Sequence, residues 1–371
     1  MERATTGTPS RRRRGRAAWA LVLLAPICGE LTFSAVGMPI MWIAFPFLVP
    51  MYGAGVLLIR ELTVRAGGSW PSLVVMGLVY ELAEDGLGLQ ALTSPVMYNA
   101  AEWGPRVLGV NLTYWESQIG YHIAFSVLIP ILLTNLIFPE LRHTPYLRRR
   151  GLVGTAVTTA AGIAMLRLTF AASEDPGYQA PLPVVVGLIV AIVGLGFVAL
   201  RVLPRRFPAQ RPGHADRAAV SGSVPAPRIA GSVAGAVTLA FLGLLMPAGH
   251  PPDGPAIGEG AFVFLPMTAA AALAVGTMLL VGRWSSSPEF TDRHRIWLAG
   301  GALVAHTLFV VLTAVLHLED ALSTIVAVTT GPVTIGLTIY LLSRLANRVE
   351  AGPDAPTTRL PRVPRTSEPH R

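Results

Sequence analysis

The sequence predicts an all-α, polytopic integral membrane helix bundle of about ten transmembrane helices, N-in and C-in, and three observations predict it. The 371 residues are 52% hydrophobic and only 13% charged, with a mean hydropathy of +0.54, whereas a soluble domain carries about 25% charged residues. The apolar residues gather into runs of the length a bilayer core requires, about 20 per helix. The basic residues sort to one side of those runs.

Ten runs meet that length, at 17 to 36, 41 to 60, 71 to 91, 118 to 138, 151 to 171, 182 to 202, 229 to 248, 260 to 281, 296 to 316 and 323 to 344. The first two run together through Gly37-Met38-Pro39, and the third carries three acids. Pro46 and Pro50 should kink the second, since each removes a backbone donor.

All 29 basic residues are arginine, against 21 acids and a net charge of +8. If the spans alternate, 27 of the 29 fall on one side, which short arginine-rich loops mark as cytoplasmic. Arg106 falls on the other side, and Arg167 lies within span five. Orientation thus accounts for the positive charge without a nucleic-acid surface, and attraction to anionic lipid headgroups follows from it. The expected organisation is a basic cytoplasmic tail (1–16), helices one to six (17–202), a Pro- and Arg-rich cytoplasmic linker (203–228), helices seven to ten (229–345) and a disordered tail (346–371).

The lone cysteine, Cys28, excludes an intrachain disulfide framework, and membrane packing accounts for it. Ala25-Pro26-Ile27 lacks the small residue a lipoprotein cleavage site needs before the cysteine. Arg13 and Arg14 stand where a twin-arginine signal would turn apolar, so neither end is expected to be processed.

Chemistry concentrates where ionisable groups enter the membrane, at a cost of about 2.5–3.5 kcal/mol each. Span three holds Glu81, Glu84 and Asp85, whose spacings of three and four place them on one stripe. Three ionised carboxylates there would repel one another, so at least one is expected to carry a proton at neutral pH. Gly77, Gly86 and Gly88 flank the stripe and permit close helix contact. By depth, Glu30 in span one, His122 in span four and Arg167 in span five fall at the same outer level, with His317, Glu319 and Asp320 at the outer edge of span nine. Arg167 is expected either to neutralise one acid or to tune it. His306, central in span nine, is expected to bond a neighbouring helix.

The outer loop 92–117 carries Tyr98, Trp103, Tyr114 and Trp115, read as an interfacial aromatic belt, or else as a lid over an outward-facing cavity. Asn111-Leu112-Thr113 matches a glycosylation acceptor by chance, because the lysine-free, alanine-rich composition suggests a bacterial chain. Arg60-Glu61 reads as an interfacial ion pair or a snorkelling arginine. The histidines and acids would satisfy a zinc or manganese site in number, but no helical His-x-x-x-His or Glu-x-x-His pair lies in the spans, and no metal or other cofactor is expected. Neither a phosphate-cradling loop nor a serine-nucleophile elbow is present.

The run Met51 to Glu61, then Gly68 to Pro71 and Gly77 to Gln90, together with His122 through Pro130 and Pro139, resembles a group of uncharacterised polytopic bacterial membrane proteins over about the first 150 residues. More distantly, the adjacent Glu84 and Asp85 with His122 are similar to the CAAX-protease and bacteriocin-processing family. There such a pair and later histidines activate water. The sequence departs from that family at Leu89, where it carries arginine, and at Gln118, where it carries phenylalanine, and no asparagine lies four residues after an intramembrane histidine.

The leading functional expectation is a transporter-like permease of the inner membrane for an unknown small solute or lipid, with Glu81, Glu84, Asp85, His122, Arg167 and Glu30 along a substrate or proton path. The alternatives are an intramembrane hydrolase or lipid-modifying enzyme using Glu84, Asp85 and His122, and an accessory protein without catalysis.

Overall fold

The computed structural model describes residues 10–98, 104–209, 223–246, 260–317 and 321–350. Among these, long helices follow the apolar runs: α1 (Arg11–Pro26, continued by Ile27–Leu31), α2 (Ile40–Ala66), α3 (Trp70–Glu81, continued by Leu82–Gly88), α4 (Leu112–Ile137), α5 (Arg149–Glu174), α6 (Leu182–Arg206), α7 (Pro227–Leu245), α8 (Phe264–Ser285), α9 (Asp292–His317) and α10 (Ala321–Glu350). Eight of them, α2 and α4 to α10, are long and apolar enough to cross a membrane. α1 and α3 carry too many charges for that description, in their arginines and Glu30 and in the acidic stripe respectively. The only strands among the described residues form a two-stranded hairpin, Arg106–Val107 with Val110–Asn111.

Local sequence explains the boundaries. Ser10 caps α1 by accepting from the Arg13 backbone N–H, and the Asn111 side chain caps α4 by accepting from that of Tyr114 at 2.9 Å. Gly67, at φ +70°, ends α2 in the left-handed conformation that favours glycine, and Ser69 and Pro71 start α3. The kink expected from Pro46 and Pro50 takes a specific form. α2 runs through Pro46, then widens into a π turn at Val49–Gly53 around Pro50, where a missing donor loosens the ladder. Further π turns lie at Ile27–Leu31, Leu82–Gly88, His122–Leu128, Arg167–Ala171 and Val198–Val202.

Several boundaries differ from the sequence reading, and α1 already begins at Arg11, inside the expected basic tail. α4 starts at Leu112, capped by Asn111, so Tyr114 and Trp115 belong to a helix rather than to the outer loop. α10 continues to Glu350, so residues 346–350 are helical rather than tail, while 351–371 lie outside the described residues. The expected linker begins in ordered structure, where Ser69 Oγ donates to the Phe207 carbonyl at 2.7 Å and Ala209 N–H to that of Gly67 at 3.0 Å. Its stretch 210–222 lies outside the described residues, as do residues 1–9, Trp103, Glu319, Asp320 and the side chain of His317.

Helices α1 to α4 surround a buried centre, with α5 and α6 against α2 and α3. α7, α9 and α10 form a second group that meets α4 and the short helix Ser34–Gly37. Tight crossings use glycine: a Cβ on Gly53 would stand 2.5 Å from the Val22 carbonyl oxygen of α1, and one on Gly77 3.1 Å from the Ile123 Cα of α4. Polar contacts sort the bundle into two ends. Arg13 pairs with Glu140, Arg142 with Asp292 at 3.0 Å, and Arg293 with Glu350 at one end. At the other, Ser94 bonds Asp175 at 2.6 Å, and Arg106 bonds the carbonyls of Thr93 and Ser94 at 3.3 and 3.1 Å. The outward faces of α5, α6 and α8 are apolar and exposed, as lipid-facing surfaces require.

Candidate functional site

The π turns explain where the site is. In a π turn the carbonyl reaches five residues on rather than four, which rotates the following side chains and leaves backbone groups free to bend, and such turns are common at functional sites. Four of the six meet in the centre of α1 to α4. They carry Glu30, Tyr52, the Glu84-Asp85 pair, and His122 with Ser126. The close α3–α4 crossing at Gly77 then brings the acid pair onto the histidine.

His122, buried at 3% exposure, uses both ring nitrogens. Its Nε2 is 3.2 Å from Asp85 Oδ2, and its Nδ1 is 3.5 Å from Glu84 Oε2 and 3.0 Å from Ser126 Oγ. Hydroxyl and indole donors surround the acids. Tyr114 donates to Asp85 Oδ1 at 3.0 Å, and Trp115 Nε1 donates to Glu81 Oε2 at 3.1 Å. Thus Trp115 and Tyr114, read in the sequence as loop aromatics, are helical donors to the acidic stripe. Glu81 Oε1 and Glu84 Oε2 accept no hydrogen bond among the described residues.

Glu30 forms a second pole. Tyr52 donates to its Oε1 and Ser34 to its Oε2 at 2.7 Å, while the Tyr121 hydroxyl lies 3.5 Å from Oε1 and donates to the Gly29 carbonyl. Rings tie the poles together, with Tyr52 and Tyr121 centroids 6.2 and 5.0 Å from that of His122.

The sequence reading placed six residues at one level, and the structure gathers five. Glu30, Glu81, Glu84, Asp85 and His122 share the centre, but Arg167 does not pair with them; its guanidinium donates to the Tyr178 carbonyl. The physical reason is its π turn, which carries it to the chain end of α5 beside the 175–180 turn. Among the described residues no arginine pairs with any of the four acids. His306 lies next door but is not joined to the acids. It is sandwiched between Phe33 and Phe125, at ring centroids of 4.4 and 3.8 Å, with Nδ1 3.3 Å from Oγ1 of Thr32, the residue that caps the end of α1. Bonding to a neighbouring helix is what its position in an apolar span implied.

Sequence reasoning missed Tyr52, Tyr121 and Ser126, and put Tyr114 and Trp115 in a loop. A signal was present in the proline-flanked tyrosine at 52 and in the polar and aromatic residues just before His122, but depth along unpaired helices does not say which of them turn inward.

Arg60 and Glu61 form the expected ion pair, at 3.3 Å, but the guanidinium is enclosed by protein and does not snorkel. Both are fully buried and clamp the 141–147 turn to α2. Arg60 donates to the Leu141 carbonyl at 2.7 Å and stacks on Tyr146 at 3.4 Å, while Glu61 accepts from the backbone N–H of Tyr146 at 2.6 Å and of Leu147 at 3.2 Å. Among the described residues no group of three or more His, Cys, Asp or Glu side chains is arranged to hold a metal ion.

A protein-family model described as an uncharacterized membrane protein family matches residues 20–352, far beyond the first 150 over which the sequence reading saw a resemblance. The similarity to CAAX-type proteases finds no support in that match. No curated protein and no solved structure matches the chain.

Proposed function

The chain belongs to this uncharacterized membrane protein family, and we propose that it works there as a proton-handling permease of a bacterial inner membrane, with ten spans and both termini cytoplasmic. It is a multi-pass membrane protein by family and by its apolar helices; the permease reading goes further and rests on the centre of α1 to α4.

The observation that carries it is a charge imbalance: four buried acids meet one histidine and no arginine. A buried carboxylate without a counter-charge costs several kcal/mol. Electroneutrality therefore requires that protons reside on the cluster, and hydroxyls and a histidine on both sides of the acids provide places for them to move. Asp85 and Glu84 hold and release the proton, His122 shares it between them, and Tyr114 and Trp115 fix the acids' orientation. The arginine-rich end, where Arg13, Arg142 and Arg293 find acid partners, supports a cytoplasmic placement of both termini.

Reconstituted wild type should take up protons together with a solute, and Glu84→Gln and Asp85→Asn should abolish that coupling. Proteoliposomes that move no protons with any solute class would refute the permease.

One observation favours a second reading, an intramembrane hydrolase: adjacent carboxylates face the two ring nitrogens of one histidine, an arrangement able to activate water. Cleavage of a peptide or lipid by wild type without proton movement, lost in Glu84→Gln, would decide for it.

A further inference from the structure

The straight way from the acids to the nearer end of the bundle is filled. Above Asp85 lie Tyr114 and Tyr98, stacked at 5.9 Å, and the buried Met97 and Leu92 beneath the hairpin. A second way leads sideways. Tyr52 stands between the two poles: its hydroxyl donates to Glu30, and its ring centroid lies 6.2 Å from that of His122, whose Nδ1 is 3.5 Å from Glu84 Oε2. That oxygen accepts no hydrogen bond among the described residues. On the far side of Glu30, Ser34 Oγ donates to its other carboxylate oxygen at 2.7 Å. Ser34 is half-buried and starts the short helix Ser34–Gly37, which ends at the exposed Met38.

We propose that protons enter and leave the acid–histidine cluster along a lateral wire, Ser34–Glu30–Tyr52–Glu84, that opens at the α1–α2 turn. It rests on the proton-handling reading above and deepens it by naming the path. In the transfer step Glu30 is protonated and the Tyr52 hydroxyl is turned to Glu84. The Tyr52 O–H bond breaks as its proton passes to Glu84 Oε2, and a new O–H bond forms on Tyr52 with the proton leaving Glu30. Each electron pair stays on its oxygen, so the phenol is neutral before and after, and one proton has moved from Glu30 to Glu84. Tyr52 then turns back to Glu30, which recovers a proton from solvent through Ser34. Tyr52 is required for its hydroxyl, not for its ring.

The test is hydrogen–deuterium exchange of the protonated carboxyl groups in the full-length reconstituted protein, followed by infrared spectroscopy. The band belonging to Glu84 is identified by its loss in Glu84→Gln. Tyr52→Phe keeps the ring and its packing, and should slow exchange of that band about tenfold or more. Ser34→Ala, at a half-buried position that tolerates the change, should slow it in the same direction. Ser117→Ala removes a buried hydroxyl that bonds only within α4 and should leave the rate at the wild-type value. Exchange at the wild-type rate in both Tyr52→Phe and Ser34→Ala overturns the wire while leaving the proton-handling centre intact. A wild-type spectrum without any Glu84-dependent carboxyl band overturns both.

Discussion

His122 Nε2 stands 3.2 Å from Asp85 Oδ2 across the α3–α4 crossing, and the ring's other nitrogen is within 3.5 Å of Glu84. One imidazole thus bridges two neighbouring carboxylates that the chain presents from a single π turn. The bridge implies that these three groups act as a unit, and units behave non-additively. In reconstituted protein His122→Gln and Asp85→Asn should each reduce coupled proton uptake at least about tenfold, and the double variant should be little worse than either alone. Additive losses in uptake rates would show that the two residues work separately.

The buried Arg60–Glu61 clamp yields a stability prediction. Removing Arg60 strips the Leu141 and Thr144 carbonyls of a donor and leaves the buried Glu61 with Arg65 and two backbone N–H groups, at a cost of about 1–3 kcal/mol. Arg60→Ala should therefore lower the thermal unfolding midpoint in detergent sharply. Arg60→Lys should recover little, because one planar guanidinium serves the Leu141 and Thr144 carbonyls while lying flat on Tyr146.

Tyr146 supplies the pH dependence of the same region, in the turn between α4 and α5. Burial pushes its phenol up to about 12, against the opposing pull of the Arg60 guanidinium. The folded state thus holds this proton more tightly than the unfolded chain. The sign follows: the contribution is fully present below the usual phenol value near 10 and is lost as pH rises through about 12. Tyrosinate absorbance should lose a late-titrating phenol in Tyr146→Phe.

Where α7 crosses α9 the backbones nearly touch, and a Cβ on Gly301 would stand 1.9 Å from the Gly231 carbonyl oxygen. No side-chain rotation relieves a clash with backbone, so Gly301→Ala should destabilise by about 1–3 kcal/mol. Gly243→Ala on α7, where nothing lies within 4 Å, should be neutral. Paired unfolding curves in detergent compare the two.

How much of this was legible in the sequence depended on range. The helices were, because hydropathy is a property of each segment alone; α6 needed no partner to be recognised. The acidic stripe was also legible, since Glu81, Glu84 and Asp85 lie within one helix period. Arg167 shows the limit. Its depth matched that of the acids, yet depth fixes one coordinate of three, and the π turn at 167–171 sent its side chain to the Tyr178 carbonyl. Tyr52 went unnoticed for the converse reason, because its importance arises only when α1 and α2 cross at Gly53.

The widened turns have a consequence for inheritance. A π turn holds one residue more than the α-helix around it would need, so deleting a single residue from Val49–Gly53 or His122–Leu128 restores regular winding and re-aims side chains within the turn by about 100°. Such a deletion would leave the helix in place and swing Tyr52 or His122 away from the carboxylates. Scaffold and chemistry are thus separable by length alone: related chains could keep every helix and lose the proton centre through the absence of one residue.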